Sequence, residues 1–164
     1  MLQTNMKKDL FIDNNVANKF SNPQDIEYIR LTQWLLNFDA KDAANKDNYA
    51  HLVVSKKLLG EYYRSAISAK SDTSIPIIID KLQKQGRLVC ISNHEIRDFK
   101  VAYFTKTVER NLRCNNEDRE HIPLVLLSDR KYALTLDDNF KYDLEHFAGF
   151  SVRVEKKPED LPYE

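Results

Sequence analysis

Short apolar runs alternate along this chain with longer stretches of helical periodicity, and no other feature narrows its fold as much. The runs are Leu10–Ile12, "AHLVVS" from Ala50, "RLVCIS" from Arg87, "YALT" from Tyr132 and "FSVRVE" from Phe150. They are short and rich in β-branched residues, which favours strands over helices. The last alternates like an outer strand, and the place of "RLVCIS" in the main sheet stays open. Between the runs, apolar residues recur at helical spacing: Tyr28, Leu31, Leu35 and Phe38, then Leu58, Leu59, Tyr62 and Ala66. Strands separated by helices predict an α/β protein, a three-layer α/β/α sandwich around a mainly parallel sheet.

Local signals set the expected boundaries. Asn22 is placed as an N-cap, Pro23 as the first helical residue and Asp25 as an acid at the positive helix end. Gly86 is the expected stop of the helix in "SIPIIIDKLQKQG". "DAKDAANKDNY" reads as a loop or an irregular helical extension. "DFKVAYFTKTVERNLR" reads as one amphipathic helix with Val101, Phe104, Val108 and Leu112 on one face. "NNEDREHIPLVLLSDR" and "KYDLEHFAG" read as further helices.

Lysine plus arginine balances aspartate plus glutamate at 25 each, which excludes a strongly basic nucleic-acid binder but allows a local basic patch. The start lacks the apolar stretch of a signal peptide, and no segment reaches the ~20 apolar residues of a membrane span. The expectation is a soluble, cytoplasmic protein with no membrane partner. Cys90 and Cys114 lack metal-ligand spacing and are expected to be small buried apolar residues.

Parallel sheets build their sites at the carboxyl ends of the strands. Two of the runs end in acids, Asp13 and Asp137, which therefore belong on one edge. Glu61 follows the second run on a helix, and Asp118 opens the helical stretch "DREHIPLVLLS". Crowded carboxylates repel one another, and burial makes each costlier to ionise. Hard oxygen donors of this kind select Mg²⁺ or Mn²⁺, which can activate water and neutralise a phosphodiester in its transition state.

Four motifs carry a family likeness. "LFIDNNV" resembles the opening D-x-N of PIN-domain nucleases, and "VVSKKLLGEYYR" resembles their strand, Ser and acid-bearing helix. "EDREHIPLVLL" resembles the third motif, and "ALTLDDNF" the closing T-x-D-x-x-F. The resemblance implies a PIN-like domain over 9–158, with an N-terminal extension over 1–8 and a C-terminal tail over 159–164. It implies Asp13, Glu61, Asp118 and Asp137 as catalytic, metal-binding acids, with Asn15, Ser55 and Thr135 supporting them. It implies a metal-dependent ribonuclease, often the toxin of a toxin–antitoxin pair, with an antitoxin as partner and a homodimer left open. Pro123 stands where the third motif often has Ala, so that helix is expected to start late, near Glu120, or to bend. Glu117 could exchange roles with Asp118, and Asp138 could be a fifth, peripheral acid.

Plainer readings stand beside these. Asp13 suits a turn or cap, Glu61 an ordinary surface pair with Lys57, Asp118 a helix N-terminus and Asp137 a turn. Catalytic roles for His94 and His121 are disfavoured, and Asp98 reads as a cap or surface acid. Lys57 and Arg64 beside Glu61, and Lys106 and Arg110 with Arg113 in one stripe, are candidates for RNA phosphates, and Tyr62 with Tyr63 for base stacking. Two alternatives remain: a non-catalytic PIN-like module binding RNA or protein, and a phosphohydrolase with Asp13 as nucleophile. The second is weakened because position 15 is Asn and not another acid.

Overall fold

The computed structural model describes residues 6–21, 24–66 and 73–164. Its centre is a five-stranded, all-parallel sheet in the order β3-β2-β1-β4-β5. The strands are β1 (Lys8–Ile12), β2 (Ala50–Val54), β3 (Leu88–Cys90), β4 (Tyr132–Leu134) and β5 (Arg153–Glu155). Leu10, Phe11 and Ile12 are fully buried, and every residue of β2 is buried. A strand covered on both faces needs apolar residues on both, which explains the unbroken runs. Each such side chain contributes roughly 1.5–3 kcal/mol on burial.

The strand order reverses at β1. From it the chain runs out through β2 to β3, and later returns to β4 on the other side. The carboxyl ends of β1 and β4 therefore flank the switch point, where α/β sheets open a crevice.

Helices α1 (Asn14–Ala17), α2 (Ile26–Leu36), α3 (Lys56–Ser65) and α4 (Ile75–Lys84) pack on one another and on β2. Helices α5 (Asn93–Tyr103), α6 (Lys106–Asn111), α7 (Asn116–Arg119), α8 (Ile122–Leu127) and α9 (Asp138–Glu145) follow, with α8 against α5, β1 and β2, and α9 against β5. Gly86, at φ +67°, turns the chain after α4 as expected. The stretch 40–48 is a kinked 3₁₀ helix.

Several boundaries differ from the sequence reading. Asn22 and Pro23 lie outside the described residues, as do 67–72, and Asp25 itself caps α2 by accepting from the Glu27 N–H. The expected helix over 98–113 is two: α5 ends at Tyr103, and the Thr105 hydroxyl caps α6 by accepting from the Val108 N–H. That break leaves Val101 exposed instead of on a shared apolar face. The stretch after Asn115 is also divided. The Asn115 side chain caps α7, and Pro123 sits in the first turn of α8, where its missing N–H costs nothing. "RLVCIS" takes the edge of the main sheet as β3, which leaves Cys90 exposed while Cys114 is buried.

Both ends of the described part of the chain join the body. Lys8 pairs with Ala50 in the sheet. Leu161 and Tyr163 are buried, with the Tyr163 ring 4.8 Å from that of Trp34.

Candidate active site

The loop after β1 brings Asp13 to the carboxyl edge, 7% exposed and serving as N-cap of α1. Its Oδ1 accepts from the Asn14 N–H at 2.8 Å. Its Oδ2 accepts from the Thr135 hydroxyl at 2.7 Å and lies 3.4 Å from the Asn15 amide nitrogen. Thr135 follows β4, is fully buried, and also accepts from the Asp137 N–H at 3.1 Å. The Asn15 carbonyl oxygen accepts from the Leu136 N–H at 3.1 Å. Asn15 and Thr135 thus lace the ends of β1 and β4 together around one carboxylate. The pair-forming groups stand about 120 residues apart in sequence, at |i−j| of 121 and 122.

Asp137 caps α9, with Oδ1 accepting from the Phe140 N–H at 2.9 Å. Only one of its oxygens is thereby engaged. Asp118, on α7, is half-buried, and its carboxylate has no hydrogen-bond donor among the described residues. Its pKa is pushed up to about 6, first by burial and then by the charges of Asp13 and Asp137; Glu61 adds to this and His121 opposes it. Burial likewise raises the Asp13 carboxyl, against the hydrogen bonds from Thr135 and Asn14 and the charge of His121; Glu61 again acts upward. Asp13, Asp137 and Glu61 therefore act on the ionisation of Asp118, and Glu61 on that of Asp13.

Glu61, on α3, does not make the ordinary surface pair with Lys57. Both its oxygens face the Nε2 of His121, at 2.9 and 3.1 Å. His121 is 1% exposed, sits between α7 and α8, and lies against the Phe11 ring at 5.9 Å. Its Nδ1 is buried without a partner among the described residues. The sequence reading set His121 aside as a surface or capping residue; its role as the partner of Glu61 spans 60 positions and leaves no local signal. Lys57 instead donates from Nζ to the Glu117 carbonyl at 3.1 Å, tying α3 to α7.

Other expected residues take different parts. The Ser55 hydroxyl accepts from the Leu58 N–H and caps α3; it supports Glu61 by fixing that helix and does not bond to the acids. Tyr62 is not a stacking surface. It is fully buried and donates its hydroxyl to the Ile12 carbonyl, while Tyr63 is the exposed member of the pair. The helical spacing that places Tyr62 beside Leu58 and Leu59 already carries the core signal. Asp138 turns away to pair with Lys156, and Glu117 is exposed. Asp98 pairs with His94 at 3.1 Å on the surface of α5. Arg64, Lys106 and Arg110 are exposed, and their side chains make no ion pair among the described residues.

The donors at this edge are carboxylate oxygens with one imidazole nearby, which suits a hard divalent cation. Among the described residues, no three His, Cys, Asp or Glu side chains converge on a single metal-sized point. Asp118 and the second Asp137 oxygen are the groups with acceptor capacity to spare, and Asp13 faces them with both oxygens already in use. The donor chemistry and the mutual charge fit a cation, and closing on it requires side-chain rotation.

No protein-family model and no curated protein sequence matches this chain. Among solved structures it is similar to the crystal structure of VapBC2 from Rickettsia felis bound to a DNA fragment from their promoter. The match has a TM-score of 0.52 and 16% identity, and it covers 91% of this chain and 98% of that one. At such identity the likeness speaks for architecture alone, and the architecture of this chain is a PIN-like fold of the VapC type.

Proposed function

We propose that the chain is a divalent-metal-dependent endoribonuclease, the toxin member of a toxin–antitoxin pair acting in the cytoplasm. The observation that carries this reading is the convergence of acids at the switch point: the Thr135 hydroxyl joins the Asp13 carboxylate to the Asp137 turn, and burial together with the charges of Asp13, Asp137 and Glu61 raises the Asp118 pKa. Mutually repelling carboxylates at a switch point favour a cation that relieves them.

Asp13, Asp118, Asp137 and Glu61 would hold Mg²⁺ or Mn²⁺. Such an ion supplies a reactive water and charge neutralisation at the scissile phosphate. The chain's own contributions are positional. Thr135 and Asn15 hold Asp13 in one orientation, Asp137 is fixed as the cap of α9, and His121 aims Glu61 across from α3. Among the described residues no Ser or Cys stands in a nucleophile arrangement with the acids, and water is the attacking group in this reading. An antitoxin partner belongs to the same proposal, supported by the likeness to the toxin–antitoxin neighbour.

A second reading is a non-catalytic PIN-like module binding RNA or protein. The observation that favours it is the engagement of both Glu61 oxygens with His121. Thermal unfolding with Mn²⁺, run beside cleavage of fluorescent single-stranded RNA, separates the two. The nuclease reading expects the melting temperature to rise with Mn²⁺ and cleavage to stop in EDTA. Unchanged melting together with intact RNA would leave the binding module.

A further inference from the structure

A cavity of about 620 Å³ lies between α6 and α9. Its wall carries a three-layered stack. The Arg113 guanidinium sits 3.4 Å from the Tyr142 ring centre, and the Tyr142 ring stacks on His146 at 3.8 Å and 18°. Two groups that close to one ring must occupy its opposite faces. The outer faces of Arg113 and His146 are then the ends of the stack, and both residues are exposed. His146 is held in place by its Nδ1, 2.9 Å from the Tyr142 carbonyl oxygen.

The charges around the cavity are not balanced locally. Arg110 and Arg113 line it, and neither guanidinium has a hydrogen bond or ion pair among the described residues. Asp143, the acid in the same wall, is 3% exposed and turns inward. It accepts from the Arg113 N–H at 2.9 Å and the Cys114 N–H at 2.8 Å. What faces the opening is therefore cationic and flat, with Val108 and Phe147 as apolar lining.

Position matters as well. Tyr142 and His146 stand on the helix that Asp137 caps, ~7 and ~14 Å along its axis at ~1.5 Å per residue. That matches a neighbour about one or two nucleotides from a phosphate held at the acids. We propose that this cleft is a stacking subsite for one unpaired RNA base, with Arg110 and Arg113 meeting the adjoining phosphates. The subsite rests on the ribonuclease reading for its substrate class. Flat π faces beside unpaired guanidinium groups are what single-stranded nucleic acid recognises without base-edge readout.

The test uses the full chain in EDTA with short oligoribonucleotides carrying 2-aminopurine at successive positions. Quenching is expected at one position only, and an abasic residue there should weaken binding about tenfold. The exposed-site variants Arg113→Lys and His146→Ala together should lose about the same factor, and the abasic RNA should then lose nothing more. Lysine keeps the charge and removes the planar face, so this isolates stacking. An abasic position without cost, or a double variant binding as tightly as wild type, overturns the subsite. RNA that stacks in this way but survives Mn²⁺ sinks the nuclease reading and leaves the subsite standing. Cleavage with no contribution from the stack does the reverse.

Discussion

The two ends of the sheet both hold buried acids and put them to opposite uses. At the amino end, Asp9 is 1% exposed and accepts from the Asp129 and Arg130 N–H groups at 2.8 and 3.0 Å. Arg130 donates onward to the carbonyls of Asp9 and Tyr163, and the fully buried Arg87 to that of Ala50. Both oxygens of Asp9 are met by backbone N–H groups there, and guanidinium groups sit among them, with Arg130 Nη2 the one buried guanidinium nitrogen left without a hydrogen-bond partner among the described residues. At the carboxyl end, Asp118 has no donor among the described residues, Asp137 uses one oxygen, and three other acids push the Asp118 pKa up. The comparison teaches that burial alone does not mark a functional acid. Asp9 has both oxygens filled by the backbone, whereas in the proposed site Asp118 and Asp137 keep acceptor capacity beside like-charged neighbours.

The largest effect expected from this contrast is on activity. Asp118→Asn should lower RNA cleavage on the order of a thousandfold, as loss of a major electrostatic stabiliser does. Its metal-free form should melt at the same temperature or higher, because a like-charge repulsion has gone. A metal-free form that melts well below wild type would make Asp118 structural and break the contrast. Asp9→Ala should do the opposite. It leaves the two part-buried N–H groups of Asp129 and Arg130 without their acceptor and should cost roughly 1–3 kcal/mol in urea unfolding. Stability unchanged by that substitution would remove the amino end from the comparison.

A third experiment sharpens the link between the acids and their supports. Thr135→Val removes the hydroxyl that orients Asp13 and should weaken Mn²⁺ binding about 10–100-fold, the usual range for partners of ligating groups. Titration of the melting temperature with Mn²⁺ measures it.

The pH response is a smaller effect with a defined sign. The folded pKa of Asp118 is about 6, raised from an ordinary 3.8. Its protonated form is therefore favoured by the fold, and stability from this group is present below about pH 4. That stability is lost as pH rises through about 6. In EDTA, wild type should lose more stability than Asp118→Asn between these limits, in paired thermal melts. The smallest change belongs to Lys57→Ala, which removes one exposed link to the Glu117 carbonyl and should stay within about 0.5 kcal/mol.

Much of this arrangement was legible before any coordinates. Unbroken apolar runs marked β1 and β2 because a parallel strand buried on both faces must be apolar on both, while alternation marked the outer strand β5. Asp13 and Asp137 could be placed on one edge because each follows such a run. The helix over 98–113 was misread because Phe104 and Val108 keep helical spacing across the Thr105 cap. Tyr62 was read as a surface because its neighbour Tyr63 is one, although its hydroxyl reaches the end of β1. The pairing of His121 with Glu61, and the inward turn of Asp143, left no trace in either local stretch.

By itself, then, the chain's own pattern determined the order of strands and helices, and hence which acids emerge at the edge where the strands stop. Periodicity is a local property, and local residues suffice to read it. Only the tertiary structure decided which carboxylates close on backbone donors and which stay open. Some donors are local, as for Asp137, but the backbone groups on Asp9 and Asp143, the Thr135 hydroxyl on Asp13 and the His121 ring at Glu61 come from 29 to 122 positions away, and only folding brings them within a few ångströms.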